Sequence, residues 1–416
     1  MVREGQGFGR AKKSGLRRLR QWPMSKAFPT IRMTTPPRNL QLRFFRQGQS
    51  AILDTIEQLV TLESPSDVKA AVDRVGTVLA SRFEQLGGKV RIHPEEKFGN
   101  HLQVDFQGES GQKPFLLLGH MDTVYPVGTI LKMPFRSSKG RAWGPGVFDM
   151  KAGIALALHV LEALLGWNNG VPPSRPLTVL LVSDEEVGSG SSRPITENLA
   201  RQSEAVLVLE PAAGGNGALK TARKGIGEYT LQVEGVSAHS GLDFEKGHSA
   251  VVELSRQILR LSEMVDLRSG TTINAGKIQG GTRGNVVAAE ASAVIDLRAK
   301  TKKELERVHR RLMSLRPFDP GCRVKISGGV NRPPMERTAK VAALYKKAAQ
   351  IAHELGWGLE EAAVGGGSDG NFTAALGVPT LDGLGAVGDG AHAAHESVVI
   401  SELPKRAALL AGLLSL

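Results

Sequence analysis

Three short apolar runs, each followed at once by acidic or histidine side chains, constrain the fold of this chain more than any other feature. The runs are FLLL (115–118), LTVLLV (177–182) and AVLVL (205–209). Runs of this length and composition predict buried strands of an α/β sheet. Open α/β sheets bind ligands beyond the carboxyl ends of their strands, so we expect the polar residues after the runs to line one rim. Those residues are His120, Asp122, the acidic triplet 184–186, and Glu210.

The pattern changes between residues 223 and 334. Its order there, β-α-β-β-α-β, is typical of a small antiparallel sheet backed by two helices. An α/β pattern flanks this segment over residues 41–222 and 335–416. It includes an apolar helix at 151–165, in which His159 is interpreted as an ordinary core or surface histidine. We therefore expect an α+β domain inserted into an α/β catalytic domain built from both flanking parts.

The net charge of +12 comes from the start of the chain. Residues 1–46 contain twelve of the 53 Lys and Arg and one of the 41 acids, so the net charge of the remainder is +1. We expect residues 1–40 to form a basic, disordered tail. The alternatives are an organelle transit peptide, a nucleic-acid-binding arm, or sequence upstream of a start at Met24 or Met33. The tail lacks the apolar core of a secretory signal.

The remaining composition favours a cytoplasmic protein. The single cysteine, Cys322, excludes an internal disulfide framework and suits a reducing compartment. No window approaches the ~18 uninterrupted apolar residues that a membrane span needs. A membrane partner is therefore not expected.

Five positions supply the histidine nitrogens and carboxylate oxygens that zinc sites use. They are His120, Asp149, Glu186, Glu210 and one of His392 or His395. Each follows a predicted strand or lies in a glycine-rich loop on the expected rim. Two divalent cations roughly 3.5–4 Å apart lower the pKa of the water between them, which then attacks at neutral pH. Zn is the first candidate, and the same ligand types also accept Co or Mn.

Two further acids are suited to assist this chemistry. Glu185 is adjacent to Glu186 and need not be a ligand, so its carboxylate is suited to take a proton from water and pass it to the leaving nitrogen. Asp122 lies two residues after His120 and is suited to accept the distal N–H of that ring, which would fix its tautomer.

The motifs that contain these residues resemble a known family. They are GHMDTVYP, WGPGVFDMKAG, SDEEVGS, LEPA, VSAHSG, DLRA, GGGSDGN and GAHAAHE. Over about residues 45–416 they resemble, in order, the co-catalytic di-zinc peptidases and deacylases. This group includes glutamate carboxypeptidase, acetylornithine deacetylase, succinyl-diaminopimelate desuccinylase and aminoacylase. The resemblance implies a mixed-sheet di-zinc exopeptidase catalytic domain with an inserted ferredoxin-like dimerisation domain, closest to the glutamate carboxypeptidase branch.

The resemblance also implies a role for each candidate ligand. His120 and Glu210 would complete opposite metal shells, and Asp149 would bridge the two ions. Glu186 would bind beside the last histidine, and Glu185 would be the general base.

Two details of the metal loops follow from the same resemblance. The residue after the bridging acid follows a cis peptide in many relatives. Here it is Met150, where several relatives have Asp, and we expect the cis bond to remain. The last ligand stands four residues before a glutamate, which His392 and Glu396 satisfy. His395 stands where relatives carry Asp or Asn, so His392 is the expected ligand.

The inserted domain matches the dimerisation lid of the family. His239 corresponds to a histidine that reaches into the partner's active site, with a plain surface histidine as the alternative. Asn285 and Arg298 match positions that contact substrate, and Arg298 is suited to clamp a carboxylate with its planar fork. Arg332 is a weaker candidate for this clamp, and a structural ion pair is its alternative.

A glycine-rich loop completes the expected site. Gly365–Gly367 would let the backbone approach the substrate closely, so Gly367 and Ser368 are candidate substrate contacts. Asp369 and Asn371 either contribute to the site or cap the helix that follows.

These features predict a homodimeric two-metal metallo-carboxypeptidase. It would release a C-terminal amino acid, with glutamate as the first candidate, from a short peptide or an N-acyl amino acid. The alternative is an N-acyl amino acid deacylase such as acetylornithine deacetylase or succinyl-diaminopimelate desuccinylase. An inactive scaffold protein is disfavoured because every ligand position is filled. Nucleic-acid binding is a rival only for the basic tail, since the body of the chain is almost neutral.

Overall fold

The computed structural model describes residues 36–108, 111–168 and 175–416. The helices are α1 (Arg38–Gln47), α2 (Gln49–Thr61), α3 (Lys69–Gln85), α4 (Thr129–Lys132), α5 (Ala152–Trp167), α6 (Arg193–Gln202), α7 (Ala250–Ser262), α8 (Lys302–Met313), α9 (Ala339–Glu354), α10 (Gly370–Ala375) and α11 (Leu403–Leu414). The strands are β1 (Lys89–His93), β2 (His101–Phe106), β3 (Phe115–His120), β4 (Arg136–Ser138), β5 (Arg141–Trp143), β6 (Leu177–Val182), β7 (Ala205–Val208), β8 (Leu219–Arg223), β9 (Gly225–Glu234), β10 (Thr272–Gly280), β11 (Glu290–Ala299), β12 (Arg323–Arg332), β13 (Glu361–Val364), β14 (Thr380–Leu381), β15 (Gly388–Asp389) and β16 (Ser397–Val399). Within these residues, no helix is both long and apolar enough to cross a membrane.

Most of the tail expected at residues 1–40 lies outside the described residues. Its last few residues are described, and there α1 begins at Arg38, earlier than expected. The fixed φ of Pro37 suits the residue that precedes a helix. Arg38 also forms an ion pair with Glu354 at 3.4 Å, which ties the start of α1 to α9.

The three apolar runs form the centre of a mixed six-stranded sheet. Its order is β1-β2-β6-β3-β7-β14, with β3 parallel to β6 and β7, and β7 parallel to β14. Strand β2 pairs antiparallel with β6, and the edge strand β1 pairs antiparallel with β2. Every residue of β3 and β6 is buried, because helices cover both faces of the sheet. The predicted mixed-sheet α/β fold is confirmed.

The larger core lies between this sheet and the helices on one face, among them α3, α5 and α11. Helix α5 is apolar on almost all sides because it is enclosed by α2, α11 and the rest of this core. His159 of α5 is buried, and its Nε2 lies 2.9 Å from Thr55 Oγ1, as expected for a core histidine. A smaller core on the other face involves Ile195 and Leu199 of α6.

Residues 225–332 form a second, antiparallel sheet of order β10-β11-β9-β12. Helices α7 and α8 pack on it, and burial alternates along β9, so one face meets the helices. This sheet has its own apolar core around Tyr229, Leu231 and Ile295. The chain enters after Arg223 and leaves toward Met335, and the backbones of these two residues exchange hydrogen bonds of 3.0 and 3.1 Å.

The parallel strands place the functional side chains on one rim. Strands β3, β6 and β7 point the same way, so the residues that follow them meet at a single edge. His120 ends β3, Glu185 and Glu186 follow β6, and Glu210 follows β7. The next strand in the sheet, β14, is followed by Asp382, which the sequence analysis did not single out.

Candidate active site

The five expected metal ligands gather at this rim. His120 Nε2 lies 3.2 Å from Asp149 Oδ1 and 3.6 Å from Glu210 Oε1. On the other side of Asp149, His392 Nε2 lies 3.4 Å from Oδ2 and 3.1 Å from Glu186 Oε2. Asp149 thus directs one oxygen at each histidine. His120 and Glu210 lie on the same side of Asp149, so the expectation that they belong to opposite shells is not met.

The cluster has the chemistry of a cation site. Ligand atoms of His120, Asp149 and Glu186 lie within 4.8 Å of one another, as do those of His120, Glu185 and Glu210. Glu186 Oε1 is buried and has no hydrogen-bond partner among the described residues, an arrangement that a bound cation would satisfy. Burial works to lower the pKa of His120, but the surrounding carboxylates raise it well above its ordinary value. These residues therefore fit the pair of divalent metal ions expected here.

Glu396 holds the loop that carries Asp149. Its buried carboxylate accepts the backbone N–H groups of Gly146, Phe148 and Asp149 at 2.8–2.9 Å. Gly146 has φ of +71°, a left-handed conformation that favours glycine. The Asp149–Met150 peptide is cis, as the resemblance implies. The sequence showed Glu396 only as a spacing marker for His392, and its anchoring role was missed.

His392, rather than His395, faces the cluster. His392 adopts φ of +64°, which turns its ring toward Asp149 and Glu186. His395 is exposed, and within the described part of the chain it forms no ion pair with these acids. The geometry therefore supports the ligand that motif spacing selects.

Asp122 organises the acidic pair more than it orients His120. Its buried carboxylate accepts the backbone N–H of Glu185 at 3.3 Å, the N–H of Glu186 at 3.2 Å, and the hydroxyl of Ser66 at 2.7 Å. His120 Nδ1 lies 3.0 Å from the backbone carbonyl of Asp122 and 3.5 Å from Oδ1. The nearest acceptor for the distal N–H is thus the main-chain oxygen rather than the expected carboxylate.

Glu185 is paired with Arg332. Arg332 Nη2 donates to Glu185 Oε1 at 2.9 Å, and Nη1 donates to Asp369 Oδ1 at 2.6 Å. Burial raises the pKa of Glu185 well above its ordinary value, although the positive charge of Arg332 opposes the shift. A carboxyl with a raised pKa is suited to accept a proton near neutral pH. The guanidinium of Arg332 is occupied by protein carboxylates, which favours its ion-pair alternative over a substrate clamp.

Buried contacts fix two positions of the glycine-rich loop, Gly367 and Ser368. Ser368 is fully buried, and its hydroxyl donates to Asp382 at 2.6 Å, so this side chain is engaged within the protein. A Cβ on Gly367 would lie 2.5 Å from Ile226 Cδ1, so packing requires glycine there. The candidate substrate contacts at these two positions are therefore limited to the backbone.

The other polar residues of the loop connect it to the inserted domain. Asp369 binds Arg332 and makes no side-chain cap on α10, so the capping alternative is not observed. Asn371 accepts the N–H of Ser368, and its amide donates to the carbonyls of Lys224 and Pro333 at 3.1 and 2.7 Å. Asn371 thus contacts both segments that connect the second sheet to the rest of the chain.

Among the described residues, the three lid candidates form no hydrogen bond or ion pair with the cluster. His239 and Asn285 are exposed neighbours, joined by a hydrogen bond from the backbone N–H of Ser240 to the carbonyl of Asn285. Arg298 contacts the glycine-rich loop, because its Nη1 donates to the carbonyl of Gly365 at 3.2 Å. The rest of its fork is engaged by Asp296.

The mixed sheet, the rim of histidine and carboxylate ligands, and the buried Glu185 beside them define a metal-dependent hydrolase. Residues 116–416 match the model of peptidase family M20/M25/M40. The chain belongs to this family and is a metal-dependent peptidase, which confirms the resemblance seen in the motifs.

Known relatives agree with this assignment. Carboxypeptidase G2 of Pseudomonas sp. (strain RS-16) is 31% identical over 373 residues, which cover 88% of this chain and 89% of that protein. Among solved structures, the aminopeptidase PepT of Bacillus cereus superposes with a TM-score of 0.73 at 22% identity, covering 88% of this chain and 98% of that one. An M20 family metallo-carboxypeptidase of Sulfolobus solfataricus gives a TM-score of 0.68 at 16% identity, with coverages of 88% and 98%.

Proposed function

We propose that this chain is a two-metal carboxypeptidase that releases a C-terminal amino acid, with glutamate as the first candidate. Its substrate would be a short peptide or an N-acyl amino acid. The observation that carries the proposal is the placement of the Asp149 carboxylate. One of its oxygens lies near His120, which neighbours Glu210, and the other lies near His392, which neighbours Glu186. A carboxylate that serves two neighbouring positions is the arrangement that a pair of metals requires. The 31% identity to a carboxypeptidase supports the direction of cleavage.

Each metal position has its own set of ligands in this proposal. His120 and Glu210 would hold one ion, Glu186 and His392 would hold the other, and Asp149 would bind both. Histidine nitrogen and carboxylate oxygen suit Zn first, and Co or Mn also. When bound, such a pair of cations polarises a substrate carbonyl and increases the acidity of water at neutral pH.

Glu185 would move the proton. Arg332 binds Oε1, and within the described residues no group donates to Oε2, so Oε2 would take the proton from the attacking water. The same carboxyl would then give this proton to the amide nitrogen as the carbon–nitrogen bond breaks, which releases the product amine. The backbone N–H groups held by Asp122 keep Glu185 in place for both transfers.

The inserted domain would recognise the substrate and form the dimer. Residues 223–334 are proposed as this dimerisation and lid domain, and residues 41–222 with 335–416 as the catalytic domain. Arg298 lies beside the glycine-rich loop, and a substrate carboxylate would replace Asp296 at its fork. His239 and Asn285 are exposed and, among the described residues, form no hydrogen bond or ion pair with the cluster of their own chain, which suits a role in the site of a partner subunit.

A hydrolysis screen tests the proposal. Dipeptides with C-terminal glutamate, other dipeptides, and N-acyl amino acids are supplied with Zn, Co or Mn, and the released amino acid is quantified. The proposal expects release of C-terminal residues, with glutamate preferred. Cleavage of N-acetyl or N-succinyl amino acids alone would favour the deacylase alternative. Absence of hydrolysis with every metal and substrate would refute the proposal.

A further inference from the structure

Arg223, at the end of β8, is a fully satisfied guanidinium in the interior of the protein. Its side chain is 3% exposed. Nε and Nη2 donate to the two oxygens of Asp382 at 2.7 and 2.9 Å, and Nη1 donates to the carbonyls of Gly366 and Gly367 at 3.1 and 3.0 Å. Nη2 also donates to Glu210 Oε2 at 3.3 Å. All five N–H groups of the side chain therefore have an acceptor.

The two carboxylate oxygens of Glu210 have different partners. Oε2 faces Arg223, whereas Oε1 faces His120 Nε2 at 3.6 Å. Glu186, the corresponding acid at the other metal position, has no such anchor, because its Oε1 lacks a partner among the described residues. Arg223 thus determines which oxygen Glu210 presents to the cluster.

The same side chain links Glu210 to the substrate side of the site. Nη1 holds the carbonyls of Gly366 and Gly367, in the loop whose next carbonyl toward the N-terminus, that of Gly365, binds Arg298. Asp382, the bidentate partner of Arg223, also accepts the hydroxyl of Ser368 from this loop. One guanidinium therefore sets the position of a ligand and of the glycine-rich loop.

We propose that Arg223 is a positioning residue. It orients Glu210 as the ligand of one metal position and fixes the glycine-rich loop relative to Glu210. This inference rests on the proposed two-metal function. Partners that orient metal ligands typically contribute 10–100-fold to metal affinity. Lysine at this position has three donors on a single nitrogen and cannot form the planar fork, so Arg223→Lys keeps the charge and removes the geometry.

Arg406 offers a matched control. It is also buried in the catalytic part of the chain, but among the described residues its guanidinium donates only to the backbone carbonyls of Gly217, Gly383 and Gly385. Arg406→Lys therefore disturbs a buried arginine network of similar depth without touching a ligand. A loss of metal affinity caused by general destabilisation would appear in both variants.

The experiment measures Zn binding by the full chain in chelator-buffered Zn, with metal content read by mass spectrometry and folding by circular dichroism. The wild type should bind two ions, and Glu210→Gln should weaken one of them. Arg223→Lys should weaken one ion about 10–100-fold and leave the other unchanged, while Arg406→Lys should bind both as the wild type does. In the Glu210→Gln background, Arg223→Lys should cause no further loss.

The outcomes separate the two proposals. A wild type that binds fewer than two ions, or a Glu210→Gln variant that binds both normally, refutes the two-metal assignment itself. If those controls behave as expected but Arg223→Lys binds both ions with wild-type affinity, or weakens them no more than Arg406→Lys, the positioning role is refuted. Should Arg223→Lys fail to fold, Asp382→Asn removes the bidentate partner of the guanidinium, and the same selective loss is expected.

Discussion

Replacing Arg332 with methionine would remove the only cation that contacts Glu185 and Asp369 among the described residues. Both ion pairs are buried, with the three side chains 4%, 12% and 4% exposed. Removing one partner of a buried ion pair typically destabilises a protein by about 3–5 kcal/mol. Here Arg332 serves two carboxylates, but protonation of Glu185, whose pKa burial already raises, limits the repulsion that remains. We therefore expect Arg332→Met to lower the free energy of unfolding by about 4 kcal/mol.

The assay is a double-mutant cycle with Asp369→Asn, measured by urea denaturation at pH 7.5. Asp369→Asn alone leaves the pair of Arg332 with Glu185 intact. In the Arg332→Met background it removes an uncompensated buried charge, so the double variant should recover about 1–3 kcal/mol relative to the sum of the single effects. Strictly additive effects would show that Arg332 and Asp369 do not interact, and a loss below about 1 kcal/mol for Arg332→Met would show that the site is solvated.

Three further predictions concern catalysis, pH and assembly. Glu185→Gln should retain both metal ions by mass spectrometry while turnover falls by about 10²–10⁴-fold, because only the proton transfer is lost; wild-type turnover would remove Glu185 from this role. Burial, with the nearby charge of Arg82, lowers the pKa of His159 to about 4. In the unfolded chain the His159 ring takes up a proton below about pH 6.5, whereas in the folded chain it stays neutral down to about pH 4. The free energy of unfolding should therefore fall as the pH drops from about 6.5 toward 4, by about 2 kcal/mol at pH 5. His159→Gln should abolish this share of the pH dependence in urea titrations, and an unchanged slope would contradict it. His239→Ala should lose turnover but regain part of it when mixed with Glu185→Gln, since a mixed dimer contains one intact site; no recovery would place His239 in the site of its own subunit.

The sheet and the cluster were predictable because their signals are local. An apolar run that ends in an acid specifies both a buried strand and the residue at its tip, as β6 and Glu186 illustrate. The parallel direction of the central strands then brings distant positions to one rim without further information from the sequence. The choice of His392 over His395 came instead from the family resemblance, whose pattern places a histidine four residues before a glutamate.

The groups that hold the ligands were not predictable by these means. Arg223 and Asp382 are 159 positions apart, and Glu396 lies about 250 positions from the backbone N–H groups that it accepts. Neither relation has a period or a spacing that a sequence displays. Ser368 shows the converse error, because a hydroxyl beside three glycines resembles a substrate contact until its buried acceptor is known.

The two hydrogen bonds of the Asn371 amide give the enzyme a mechanical property. The carbonyls of Lys224 and Pro333 belong to the only two covalent connections of the second sheet, and one planar amide spans them both. A swing of the inserted unit about these connections would stretch the bonds unless Asn371 moved along with it. Since the same residue accepts the N–H of Ser368, such a swing would displace the glycine-rich loop in step.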